Sequence, residues 1–271
     1  MKLKNLILAC GVCLSSLTAM AHAPFVSPSS YLVEGGNTAI LAGFAEKAFD
    51  TEVAIRGFEF QVIQPNGESK NLNLVNSKTV SVADVETTQN GTYQIIGERS
   101  GNLKYVKLDQ RWLRVLDAKA ANVPPLKERS FAASDEVNDK SETMTVNRDD
   151  QVITYFTKGK ISPIKSQSLD GLQISYSQHP NQLSVKQILQ LKLELNRNGV
   201  ENYKVEVEKQ QNSGLDQAFE TQLKTNKKGV VELKFPSAGQ YLITITSPES
   251  KLTEKPQKQN YRTIISLYVA D

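Results

Sequence analysis

Apolar and polar residues alternate with a period of two along most of the chain, in short runs closed by turn residues. That pattern predicts β-strands rather than helices. Phe58-Glu59-Phe60-Gln61-Val62 alternates cleanly, and Pro65-Asn66-Gly67 closes it with a hairpin signal. Leu72-Asn73-Leu74 and Thr79-Val80-Ser81-Val82 follow, and Asn90-Gly91 turns into Tyr93-Gln94-Ile95-Ile96. Residues 103–116 read as a strand pair or as one long strand.

Residues 118–148 break the alternation. They are polar, carry Pro124-Pro125, and read as an excursion over the surface or a mobile loop. Strand patterning resumes at Val152-Ile153-Thr154-Tyr155-Phe156. A second block starts beyond Pro163. Leu172 to Tyr176, Ile188 to Leu195, Tyr203 to Val207, Val230 to Phe235, Tyr241 to Thr246 and Thr263 to Val269 read as strands, with Asn198-Gly199 as a turn. That number of short strands in about 100 residues is what an immunoglobulin-like sandwich needs. No stretch has the period of a long amphipathic helix. The expected fold class is therefore all-β: two β-sandwich domains, over residues 22–163 and 164–271, the second immunoglobulin-like.

The amino terminus changes the picture of where this chain works. Residues 1–21 carry Lys2 and Lys4, an apolar run from Leu6 to Leu17 and then small residues, the layout of a cleaved secretory signal peptide. The run is short of the roughly 20 residues a spanning helix needs, and no later run is long enough either. Cleavage after Ala19-Met20-Ala21 leaves His22 first; cleavage after Ala21-His22-Ala23 leaves Pro24 first. Proline fixes φ and lacks an N–H, which makes it a poor residue after a scissile bond and favours His22. Both cysteines, Cys10 and Cys13, fall inside the signal, so the mature chain has no disulfide, thiolate ligand or cysteine nucleophile. Leu8-Ala9-Cys10 is too close to the start to be a good lipoprotein signal. Without residues 1–21 the chain has 30 basic and 29 acidic residues. A charge near neutrality gives no general attraction to nucleic acid or membrane. The expected compartment is the periplasm.

Catalytic motifs are absent: there is no H-E-x-x-H, G-x-S-x-G, phosphate-binding loop or dinucleotide fingerprint, so no enzyme activity is expected. Asp149-Asp150, and Asp135-Glu136 with Asp139, offer carboxylates, but their spacing does not fit a calcium loop and they read as solvated charges. The run Tyr105 to Arg114 mixes basic and aromatic residues, yet strand alternation makes Trp112 a core anchor rather than a nucleic-acid platform. The mature chain has two histidines, His22 and His179. An amino-terminal histidine supplies an α-amine (pKa about 7.7–8.0) and a ring Nδ1 (about 6.5), which a metal can deprotonate and chelate near neutral pH. Such nitrogen donors suit Cu(II), Ni(II) and Zn(II). Pro24 removes the third amide N–H, so further ligands must come from the fold: His179, the other imidazole, or a carboxylate such as Glu46.

The stretch "HAPFVSPSSYLVEGG" resembles the mature start of a bacterial periplasmic family of unknown function, formerly labelled nickel/cobalt uptake components of the NikM type. "VIQPNGE", "NGTYQIIG", "VITYFTKGK", "GLQISYSQHPNQL", "TNKKGVVELKFPSAGQYLITI" and "YRTIISLYVA" follow in that family's order, from His22 to the end of the chain. The "TNKKGVVELKFPSAGQYLI" segment also looks like carrier-type β-sandwich modules. The resemblance implies two β domains, a periplasmic address, an association with nickel or cobalt uptake, and a metal role for His22.

The leading expectation is a periplasmic accessory protein that binds a Ni, Co or Cu ion, or a chelate of one, for envelope uptake, with His22 and His179 as ligands. The alternative is a metal-free structural or interaction module that docks to an envelope transporter or outer-membrane receptor. A histidine-braced copper enzyme would need a second histidine close to His22 on a flat exposed face.

Overall fold

The computed structural model describes residues 23–164, 171–211 and 218–271. All regular structure there is strand, apart from three short 3₁₀ turns, which agrees with the all-β expectation. The first strands are β1 (Ala23–Pro28), β2 (Leu32–Val33), β3 (Asn37–Ala45), β4 (Val53–Ala54), β5 (Glu59–Ile63), β6 (Ser69–Asn71), β7 (Val75–Asn76) and β8 (Ser81–Glu86). Two long strands, β9 (Gly91–Leu108) and β12 (Thr143–Lys158), enclose β10 (Arg111–Leu116) and β11 (Phe131–Ala133). Then come β13 (Leu172–Tyr176), β14 (Leu183–Ser184), β15 (Ile188–Leu195), β16 (Asn198–Gly199) and β17 (Lys204–Lys209). The last are β18 (Glu220–Lys224), β19 (Val230–Lys234), β20 (Gly239–Thr246) and β21 (Gln259–Ala270).

One large sheet runs β11-β10-β9-β12-β21-β20-β17-β18 and organises the whole molecule. Its two halves come from the two sequence blocks, and they meet where β12 pairs in parallel with β21, Asn147 to Thr154 against Gln259 to Ser266. A smaller sheet, β1-β3-β8-β7, covers one face: Phe25, Val26, Ile40, Ala42 and Val85 pack on Tyr93, Ile95, Val152, Phe156 and Ile264. A third sheet, built on β13, β15 and β19, covers the other face: Leu189, Leu191, Leu193, Val231 and Leu233 pack on Ile153, Tyr155, Ile243, Ile265 and Leu267. Strand pairing therefore runs straight across Pro163, and β12 and β21 are buried on both sides, each side facing a different core. This is why Val152 to Phe156 and Ile264 to Leu267 are nearly continuous buried runs rather than alternating ones.

β1 was not legible as a strand because it carries Pro24 and Pro28. It tolerates them as an edge, paired only with β3, Ala23 opposite Ala45 through Pro28 opposite Ile40. Residues 103–116 form a hairpin. Asp109 and Gln110 make its turn, both in the left-handed region at φ 48° and 62°.

The excursion over residues 118–148 is ordered, which corrects the mobile-loop alternative. β9 and β12 continue outward as a hairpin, and β10 and β11 add to its side, β11 in parallel with β10. β12 starts at Thr143, nine residues earlier than the apolar pattern indicates. The resulting tab has its own small core of Val106, Leu113 and Ala132, packed by Leu108, Val115, Leu126 and Val137. Arg129 holds it together. Its guanidinium is buried over the Phe131 ring and donates to the carbonyl oxygens of Pro124 and Phe131 and to the Glu136 carboxylate. Trp112 is buried, as its place in the alternation implies.

Candidate functional site

His179 stands at the start of a tight turn in which Gln182 N–H donates to the His179 carbonyl, 2.9 Å. Its Nδ1 accepts the backbone N–H of Asn181 at 3.1 Å, so the lone pair there is in use. The ring proton sits on Nε2, which lies 3.1 Å from both the Ser162 carbonyl and the Thr92 hydroxyl. Burial lowers the ring's pKa, and the bond to the Ser162 carbonyl only partly offsets it. A neutral imidazole with both nitrogens engaged ties three segments of the fold and has no electron pair to give a metal. In this structure His179 serves the fold, with both ring nitrogens in hydrogen bonds.

His22 lies outside the described residues. Glu46, named as a carboxylate candidate, directly follows the Ala23–Ala45 pair and is exposed. Among the described residues no group of three or more His, Cys, Asp or Glu is arranged to hold a metal ion. The acidic pairs also have other work. Asp135 accepts the Ala120 N–H, Glu136 pairs with Arg129, and Asp149 accepts from Ser100 Oγ and Gln259 Nε2.

Beside His179 opens a groove of about 380 Å³ between β9, β12 and β13. Its polar lining has no acidic, lysine or arginine side chain. Gln94 Nε2 donates to the Tyr155 hydroxyl, which donates to the Tyr176 hydroxyl, both at 3.2 Å. Burial pushes both tyrosines far above the ordinary phenol range, so neither is a base near neutral pH.

Asp150 is not the solvated loop charge its sequence suggests. Its side chain is 2% exposed and central to the large sheet, among three arginines from three strands. Arg99 on β9 stands directly across from it, Arg262 directly across on the other side on β21, and Arg148 two residues before it on β12. Arg99 Nη2 lies 2.5 Å from Oδ2, Arg262 Nε 2.9 Å from Oδ1, and Arg148 Nε 3.1 Å from Oδ1. Burial opposes ionisation of Asp150, and the arginines, Arg262 foremost, outweigh it and hold the carboxyl below its ordinary value. Arg99 is further fixed over the Phe58 ring, 4.7 Å from its centroid. Four scattered sequence positions give no motif, so only strand register brings them together.

The DUF4198 domain of unknown function matches residues 19–248. No curated protein matches the chain. Among solved structures, a DUF4785 family protein from Legionella pneumophila is 10% identical, with a TM-score of 0.23, over 87% of this chain and 55% of that one. The chain thus spans about half the length of that structure. The D0-D1 domain of intimin is 10% identical with a TM-score of 0.21, over 90% of this chain and 97% of that one. The chicken CNTN1 FN1-FN3 domains are 9% identical with a TM-score of 0.23, over 92% of this chain and all of that one. Values this low carry nothing beyond the likeness itself. The chain belongs to the DUF4198 family.

Proposed function

We propose that this DUF4198 chain is a non-catalytic interaction module of the bacterial periplasm that docks to an envelope transporter or receptor through its tab. The observation that carries this reading is the construction of residues 109–142. Ordering a backbone costs about 1–2 kcal/mol per residue, and here few apolar side chains are buried: Trp112, Leu113, Ala132 and Ala133. Shape is instead imposed by Arg129, whose donors are spent on three separate acceptors. A projection held in one shape loses little further freedom on binding, which is what a docking element requires.

The ladder offers a clean way to remove the tab. Lys107 N–H donates to the Glu142 carbonyl at 2.9 Å, so an Asn-Gly turn joining Lys107 to Glu142 keeps the β9–β12 register. A photocrosslinking residue at Lys127 in living cells is expected to capture one discrete envelope protein, and the tab-less chain is expected to lose the association. Absence of any adduct, or recovery of the same partner with the tab-less chain, contradicts the reading.

A second reading, handling of a Ni, Co or Cu ion at a mature amino-terminal His22, is supported by the NikM-type resemblance and by the anchoring of β1. That strand is paired from Ala23 onward and largely buried, so a ligand preceding it is attached to a fixed strand. The test is titration of the processed protein with Ni(II) or Cu(II) beside a form carrying one extra residue before His22. Stoichiometric binding only in the processed form supports this reading; equal binding in both removes it.

A further inference from the structure

We propose that the outward extension of the β9–β12 ladder is an oxyanion-binding site, in which Arg99 and Arg148 grip a phosphate or carboxylate group lying over Gly101. The inference rests on these residues alone and stands whether or not the tab docks.

The first observation is a charge surplus. Arg99, Arg148 and Arg262 surround Asp150, and Arg114 and Glu249 are the next charged groups that act on this cluster. With Asp149, on the other face of β12 beside Gly101, four guanidiniums stand against three carboxylates, a local excess of one positive charge. Such an excess, gathered at partly buried positions, favours any anion that reaches it.

The second observation is unspent hydrogen-bonding capacity. A guanidinium has five N–H donors in a fixed fork. Asp150 takes one from Arg99, one from Arg262 and one from Arg148 Nη2, and Arg148 Nε makes a further ion-pair contact at 3.1 Å. Among the described residues no buried side-chain nitrogen lacks a partner, so the arginine nitrogens not bonded to Asp150 open on solvent. The side chains of Arg99 and Arg148 are 29% and 21% exposed, against 13% for Arg262. Asp150 thus orients the two more accessible forks in advance, and oriented arginine forks match planar oxyanions.

The third observation is a place for the ligand. Gly101 lies two residues beyond Arg99 on the same face of β9 and directly opposite Arg148 on β12. A Cβ added there meets nothing within 4 Å. An opening one side chain wide is therefore flanked by both arginines, at the spacing of adjacent positions in a sheet.

The test is calorimetric titration of the whole mature chain at low ionic strength with inorganic phosphate and, separately, with citrate. Saturable one-site binding of either is expected; which one binds distinguishes a phosphoryl ligand from a carboxylate. Arg148→Gln and Gly101→Leu are each expected to weaken it at least tenfold, the first by removing donors and the second by filling the opening with every arginine intact. Because Gly101 is exposed and at the surface of a strand, the second variant remains decisive if the first fails to fold. Absence of saturable binding with both anions, or binding that survives Gly101→Leu unchanged, overturns the proposal.

Discussion

Arg99 and Asp150 stand directly opposite each other in the β9–β12 ladder, and the arginine Nη2 lies 2.5 Å from the aspartate Oδ2. The pair joins the two long strands on the face where Arg262 brings in the carboxy-terminal strand. Neutralising the aspartate leaves three guanidiniums close together without the carboxylate that all three contact. Asp150→Asn is expected to cost about 3–5 kcal/mol, the usual penalty for breaking a buried ion pair from one side. The pH dependence has a definite sign. The carboxyl is held below its unfolded value of about 3.9. Its contribution is therefore complete above that value and is lost as pH falls through the lower folded one. Urea unfolding should show a constant gap between the two proteins from neutrality down to about pH 5, closing only in stronger acid. Equal stability at neutral pH would contradict the assignment.

Arg129 governs the tab and little else. Arg129→Met removes the donor to two backbone carbonyls and strips Glu136 of the hydrogen bond that chiefly holds its carboxyl below the ordinary range. The two sandwich cores contain no residue of residues 109–142. Limited proteolysis should therefore cut the variant rapidly between Asp117 and Glu142, while the main thermal transition moves by only a few degrees. A large fall in that transition with no new cleavage would place Arg129 in the global core instead.

His179 makes a prediction of the opposite kind, about a residue whose sequence context suggests chemistry. Its ring joins Thr92, Ser162 and Asn181. His179→Ala should cost about 1–3 kcal/mol through polar groups left unpaired. Its folded pKa is lowered, chiefly by burial. The contribution is thus complete above the unfolded value of about 6.5 and lost as pH falls through the folded one. The gap in melting temperature between wild type and variant should narrow in acid; a gap that widens would show that the imidazolium, and not the neutral ring, is the stabilising form. The ring's NMR signals should also be indifferent to Ni(II).

The strands facing water on one side could be read directly. Ile188 to Leu195 alternates in sequence and in burial, and turn chemistry at Asn66-Gly67 and Asn90-Gly91 falls where strands end. The strands that organise the molecule could not be read so simply. Val152 to Phe156 lacks alternation because both faces are covered, and that continuity was the available signal for a shared middle sheet. Thr143 to Gln151 looks polar because its inward residues include Arg148 and Asp150 and satisfy each other. The arginine cluster left no trace, since its members lie on three strands up to 163 positions apart, from Arg99 to Arg262, and meet only through register. His179 was visible as a rare residue, but its role depends on a backbone N–H two residues later.

The shared sheet makes a last prediction about cooperativity. Eight consecutive residue pairs join β12 to β21, Asn147–Gln259 through Thr154–Ser266. Neighbouring residues of β12 serve different cores, Val152 and Phe156 one, Ile153 and Tyr155 the other. Loosening either core withdraws support from the strand on which the other is built. Calorimetry of the whole chain should therefore give one transition, with van't Hoff and calorimetric enthalpies equal. A fragment ending at Pro163 would expose the edge of β12 along with the side chains of Ile153 and Tyr155, a template for aggregation. It should fail to give a dispersed amide spectrum. Two resolved transitions, or a folded fragment, would mean that each sandwich is held by its own sheet and that the β12–β21 ladder is a contact between finished domains. Burial at Ile153 and Ile265 speaks against that arrangement: both side chains are 5% exposed or less, and both depend on partners from beyond Pro163.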